Sequence, residues 1–238
     1  MVISIVGSTG SGKGLICDYL TKKYPATFEQ INVGNIVKSE IKNDTEAGMS
    51  FMKSFRKGEM VDNDILTDLI IEKFNTYKYD EKKIILFNGY PCCVQQAELL
   101  DSTLHFDYLF YLKANYFVTR LRANGRRKCM ACGRTTNTTF DKTARTGVCS
   151  YCGAVLAVRV DGHPEALKNK HREFKRNMKH ILNYFEGRKC IVHANFDQKT
   201  TLHQFLIKLQ NYFATVKVEK NIDFVKAEST HRIVYHKN

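Results

Sequence analysis

Short, nearly continuous apolar runs alternate along this chain with longer stretches in which apolar residues return every three or four positions. The first kind reads as buried strands and the second as amphipathic helices. Strands are predicted at residues 2–6, 27–31, 83–87, 107–112 and 189–193, and helices at 12–23, 62–77, 94–104, 115–123, 164–186 and 200–213. Regular alternation of strand and helix builds a parallel sheet covered on both faces, an α/β architecture. Two excursions interrupt it, at residues 32–61, where short helices are expected, and at 124–162. The chain is therefore expected to fold as one core (1–31, 62–123 and 163–213) carrying two inserted lobes (32–61 and 124–162). Residues 214–238 show no clear period and form a carboxyl-terminal extension. With 238 residues and 43% apolar composition, one sizeable core is well supplied and two similar domains are not.

Chemistry enters at the first strand. The run at 2–6 leads into Gly7-Ser8-Thr9-Gly10-Ser11-Gly12-Lys13-Gly14, and Leu15 opens an amphipathic stretch, so strand, glycine loop and helix follow in order. Glycines let successive N–H groups turn inward, the helix start adds its positive end, and Lys13 brings a mobile charge to the outer phosphates of a nucleotide. This is a phosphate-binding loop, and it predicts a P-loop NTPase fold. A loop that starts at residue 7 leaves no space before it for a secretion signal, so a cytoplasmic protein is expected. Mean hydropathy of −0.35 with 26% charged residues excludes a membrane-embedded chain.

The eight cysteines fall into two groups. Cys129 and Cys132, then Cys149 and Cys152, form two C-x2-C knuckles with the spacing of one four-cysteine zinc site, closed and therefore structural. Two disulfides are the competing reading, which a reducing compartment disfavours. Cys17 and Cys190 read as small core residues.

Further motifs carry a resemblance. Residues 31–38 (Ile-Asn-Val-Gly-Asn-Ile-Val-Lys), 57–63 (Lys-Gly-Glu-Met-Val-Asp-Asn) and 87–91 (Phe-Asn-Gly-Tyr-Pro), with Gln96, are similar in kind and order to the adenylate kinase family, in its form with a long zinc-bearing lid. The resemblance implies a five-stranded parallel sheet flanked by helices, with a monophosphate-binding lobe at 32–61 and a zinc lid at 124–162. It implies magnesium-dependent transfer of a phosphoryl group from ATP to AMP or another nucleoside monophosphate, by a protein expected to be a monomer. On this reading ATP is bound by Gly7, Ser8, Thr9, Gly10, Ser11, Gly12, Lys13, Gly14, Leu15, Arg120 and Arg126. The monophosphate is bound by Val33, Lys38, Met60, Val61, Gly89, Cys92, Gln96 and Arg159, with Gln96 reading adenine. Catalysis falls to Lys13, Arg120, Arg126, Arg159, Asp161 and Lys170. Phosphoryl transfer asks the protein mainly for positioning and for cations around the moving group, which is what this set supplies.

Several positions depart from the family pattern. Asn35 and Asn88 stand where it has aspartates that hold the waters of magnesium, and an amide attracts a divalent ion less than a carboxylate does. Lys38, Cys92 and Lys170 stand in place of arginines, Leu15 in place of a small hydroxyl residue, and Gly162 in place of an aspartate. A charge-assisted hydrogen bond contributes about 1.5–3 kcal/mol, so the missing guanidinium at 92 weakens monophosphate binding by roughly tenfold to a hundredfold. The alternative to a working kinase is thus a nucleotide-binding pseudokinase serving as an assembly subunit, with an RNA-containing partner as one form. A net charge of +13, with Arg126, Arg127 and Lys128 followed by Lys168, Lys170, Arg172, Lys175 and Arg176, offers a cationic face for nucleic acid. Phosphate caging and a lysine-rich surface account for the same charge more simply. Cys92, among cations, is either a reactive thiol of lowered pKa or a neutral filler, the commoner case.

Overall fold

The computed structural model describes residues 1–77, 83–158, 164–194 and 198–216. In chain order the core elements are β1 (Val2–Gly7), α1 (Lys13–Lys23), β2 (Phe28–Asn32), α2 (Val33–Lys42), α3 (Glu46–Lys57), α4 (Asn63–Asn75), β3 (Ile84–Asn88), α5 (Val94–Leu104), β4 (Tyr108–Ala114) and α6 (Tyr116–Asn124). The second excursion holds β5 (Arg126–Cys129), β6 (Thr135–Asn137) and β7 (Leu156–Val158), and the chain returns to the core through α7 (Pro164–Tyr184), β8 (Lys189–Ala194) and α8 (Gln198–Thr215). Every predicted strand and helix is present, with ends that move by a few residues. The extension expected from 214 lies outside the described residues beyond 216.

Five strands form a parallel sheet in the order β2-β3-β1-β4-β8. Alternate residues of each strand feed opposite faces, which is why the runs read as continuously apolar. On one face Val2, Val6, Ile31, Ile85 and Phe87 pack under α2, α3, α4, α5 and α7; on the other Ile3, Ile5, Phe28, Ile84 and Leu86 pack under α1 and α8. Side-chain caps start the helices locally. Asn32 Oδ1 accepts from Asn35 N, Thr45 Oγ1 from Gly48 N, and Asp62 Oδ1 from Asp64 N and Ile65 N. At the end of α3, Gly58 is left-handed (φ 71°) and lies so close to α7 that a Cβ there would stand 2.2 Å from the Ala166 carbonyl oxygen. Phe51 is fully buried, so α3 is fixed to the core by packing as well as by that backbone contact.

The topology places the site. After β1 the chain passes to the face of α1, and after the adjacent β3 it passes to the face of α5. A crevice opens between neighbouring strands whose connections leave in opposite directions, at their carboxyl ends. The glycine loop and the segment after Asn88 line it.

The excursion at 124–162 contains a small antiparallel sheet of order β6-β5-β7. Residues 159–163 lie outside the described residues, so the expected placements of Arg159 and Asp161 fall there. Among the described residues no helix is long and apolar enough to cross a membrane.

Candidate active site

The loop between β1 and α1 is held in shape from both sides. Gly10 and Gly12 have φ of 91° and 107°, and a Cβ on Gly10 would lie 2.3 Å from the Thr119 carbonyl oxygen, so the loop presses on α6 where only glycine fits. Ser11 N donates to Ser8 O at 3.0 Å, closing the turn. Ser8 and Ser11 are buried, while Leu15 turns onto the core face shared with α1 rather than toward the crevice.

Lys13 opens α1, and its Nζ donates to the Gly7 and Ser8 carbonyls at 2.5 and 3.0 Å. Gly89 backs it, with room for a Cβ only 3.3 Å from Lys13 Cε. Burial strips water from the amine and holds its pKa down at about 8, even though the thiols of Cys92 and Cys17 raise it by more than repulsion from Arg126 and Lys170 lowers it. Residues 13, 126 and 170, from α1, β5 and α7, therefore share one crevice. Lys170 also lies 5.2 Å from the centre of the Phe55 ring, tying α7 to α3. It belongs to the cleft and not to the outer cationic face, whose exposed members on α7 are Lys168, Arg172, Lys175 and Arg176.

Arg120 and Arg122 part company in space. Arg120 is exposed and lines a recess of 340 Å³ with Thr9, Tyr116 and His171. Arg122 is 2% exposed, and its Nη1 donates to the Gly10 carbonyl at 3.4 Å. Its own carbonyl accepts from Asn137 Nδ2 at 2.7 Å, which joins the loop to the antiparallel sheet. The sequence reading missed Arg122. A signal was present, since Arg122-x-x-Gly125-Arg126 places a cation one helical turn before the first arginine of β5.

On the opposite wall, Gln96 is 3% exposed and its amide is engaged at both ends: Oε1 accepts from Cys92 N at 2.7 Å and Nε2 donates to Asn63 Oδ1 at 2.8 Å. It fixes the turn that carries Cys92. One side of Cys92 is open to the cleft, yet protein on its other sides pushes the thiol up to about 11, and the nearby Lys13 and Lys170 do not reverse this. The lowered, reactive thiol weighed from sequence is thus overturned: desolvation wins, and Cys92 is a neutral group. Val33 is buried, Val61 packs against the core, and Met60 Sδ accepts from Asn177 Nδ2 at 3.7 Å. Lys38 is half-buried on α2, and Asn35 is exposed on the same helix.

The family model for adenylate kinase matches residues 5–190. Among curated relatives, the adenylate kinase of Lachnospira eligens is 31% identical over 193 residues, spanning 79% of this chain and 89% of the relative. That of Lachnoclostridium phytofermentans is 29% identical, spanning 79% and 87%, and that of Pyrococcus furiosus is 27% identical, spanning 83% and 91%. The chain belongs to the adenylate kinase family. It is a phosphotransferase of the nucleoside monophosphate kinase class, on a five-stranded P-loop fold.

The two cysteine knuckles of this adenylate kinase relative converge on one point. The sulfurs of Cys129, Cys132, Cys149 and Cys152 all lie within 4.8 Å of one another, with Cys129–Cys152 at 3.4 Å and Cys132–Cys149 at 3.8 Å. Bonds of about 2.3 Å to one tetrahedral zinc require sulfurs about 3.8 Å apart, whereas a disulfide requires about 2.05 Å. The cluster fits zinc, and all four cysteines are free thiols. Backbone N–H groups of the knuckles favour the thiolate: that of Cys132 leads in lowering Cys129 to about 6, and those of Tyr151 and Cys152 lower Cys149. Asp141 crosslinks the same excursion, accepting from Thr136 and Ser150 hydroxyls at 2.8 and 3.0 Å.

Proposed function

We propose that the protein transfers the γ-phosphoryl group of ATP to AMP, giving two ADP. The observation that carries the reading is the convergence of Lys13, Arg126 and Lys170 on one crevice beside the glycine loop, with Arg122 bonded to that loop. ATP binds with its phosphates on the N–H groups of residues 7–14 and its charge met by Lys13, Arg122 and Arg126. AMP enters the lobe of α2 and α3, near Val33, Lys38, Met60 and Val61, and its phosphate lies over Gly89 and Cys92. Gln96 reads the adenine edge by exchanging its bond to Asn63 for one to the base. The AMP oxygen forms the new bond to the γ-phosphorus as the bond to the bridging oxygen of ADP breaks. Lys13, Arg126 and Lys170, joined by Arg120 and by Arg159 of the lid, balance the negative charge in that step. Closing the zinc-stiffened flap keeps water from accepting the phosphoryl group. A divalent ion arrives bound to ATP, and zinc stays a structural ion of the flap. Free thiols throughout support a reducing compartment, the cytoplasm.

One observation favours a second reading, a nucleotide-binding subunit that turns over little: the acceptor phosphate would meet a neutral Cys92 thiol. The same experiment separates the two. Purified protein is incubated with ATP, magnesium and a panel of nucleoside monophosphates, beside a Lys13→Ala control, and diphosphates are followed. ADP formed from AMP and lost in the control supports the kinase. Silence across the panel with ATP still bound supports the subunit.

A further inference from the structure

P-loop enzymes hold the ion of a metal–nucleotide complex with two protein groups, a hydroxyl just past the loop lysine and a carboxylate at the end of a nearby strand. Neither is present at the corresponding places here. Lys13 is followed by Gly14 and by Leu15, which packs onto the core. The strand beside β1 ends in Asn88, in register with Asn32 of β2 and Ile5 of β1. Asn88 turns the donor end of its amide inward: Nδ2 donates to Gln30 Oε1 at 3.5 Å and is the group nearest a Cβ built on Gly14, at 3.8 Å. Gln30 in turn donates through Nε2 to Asp18 Oδ1 at 2.8 Å, so the carboxylate that ends this chain of amides is already bonded within the protein. Asn32 Oδ1 is likewise taken by Asn35 N at 3.1 Å. Hard divalent ions prefer anionic oxygen, and this edge presents neutral amides.

We propose that this protein leaves the divalent ion to the nucleotide alone: its cleft grips the triphosphate with fixed cations and adds no affinity for metal. The inference rests on the kinase reading above. It makes Asn88 the residue that sets metal dependence, by being an amide. The ion's affinity and identity are then governed by the phosphates, so the protein-bound complex ranks metals as the free nucleotide does.

The test measures Mn²⁺ affinity by the loss of the free-ion electron paramagnetic resonance signal. It compares the β,γ-imido analogue of ATP free in solution with the same analogue saturating the full-length protein. Equal Mn²⁺ affinities, within about threefold, are expected. Asn88→Asp, and separately the exposed Asn35→Asp, should raise the affinity of the protein-bound complex, by about tenfold to a hundredfold for a group in the outer shell of a metal. Tenfold or tighter Mn²⁺ binding by the unmodified protein complex overturns the proposal, and this comparison stands even if a variant fails to fold. Calorimetry of the analogue in chelator distinguishes the two levels. No binding with or without metal sinks the kinase reading and this inference together, whereas binding that strictly requires metal sinks this inference alone.

Discussion

The depressed pKa of Lys13 makes a quantitative statement about stability that can be separated from every other group in the chain. An unperturbed lysine titrates near 10.4, and burial brings this one to about 8. Between those values the unfolded chain holds a proton that the folded protein has released, so stability must rise with pH across that window and the burden of the buried charge is greatest below it. In Lys13→Met this titration is absent. The unmodified protein should therefore gain on the variant as pH is raised from 7.5 to 9.5, by about 2 kcal/mol from the two pKa values. Water reaching the side chain through the open cleft reduces this to about 1–2 kcal/mol. For a chain of this size, that is a shift of roughly 2–8 °C in the difference between melting temperatures. The assay is urea or thermal unfolding of both proteins at the two pH values, nucleotide-free, with zinc and reductant held constant. Loss of the hydrogen bonds to Gly7 and Ser8 changes the absolute difference but not its pH dependence. A difference that stays constant within about 0.5 kcal/mol, or that moves the other way, refutes the buried and crowded lysine on which the phosphate site is built. ATP should reverse the effect, because its phosphates return the proton to Lys13.

Three other outcomes are expected. Arg122→Ala should weaken ATP binding more than tenfold by calorimetry, while Arg120→Ala changes it less than threefold, since the first residue is hydrogen-bonded to the loop and the second is exposed at the side of it. Metal analysis should find one zinc per chain in the parent and less than a tenth of that in Cys149→Ser, and limited proteolysis should then cut the flap at least tenfold faster while leaving the core intact. Gly58→Ala should lower stability by about 2–4 kcal/mol in urea melts, combining a left-handed backbone with a Cβ set against the Ala166 carbonyl, and an unchanged midpoint would show that α3 does not meet α7 as described.

What the chain declares by sequence alone is what neighbouring residues accomplish together. A glycine loop between an apolar strand and a helix start builds a phosphate cradle from eight consecutive residues, whatever the rest of the fold does. The two cysteine knuckles are local in the same sense, each turn aiming its own pair of thiols. Strands and helices were legible because their apolar periods are short. Tertiary structure decided the questions that depend on phase and on balance. Arg120 and Arg122 stand about 200° apart around α6, so only the face of that helix that meets the loop determines which arginine touches it. The state of Cys92 follows from a contest between desolvation and nearby cations, and its winner depends on how much protein surrounds the sulfur. Gln96 shows the same limit, because an amide suited to a purine edge is equally suited to Cys92 and Asn63 until packing brings those partners within reach.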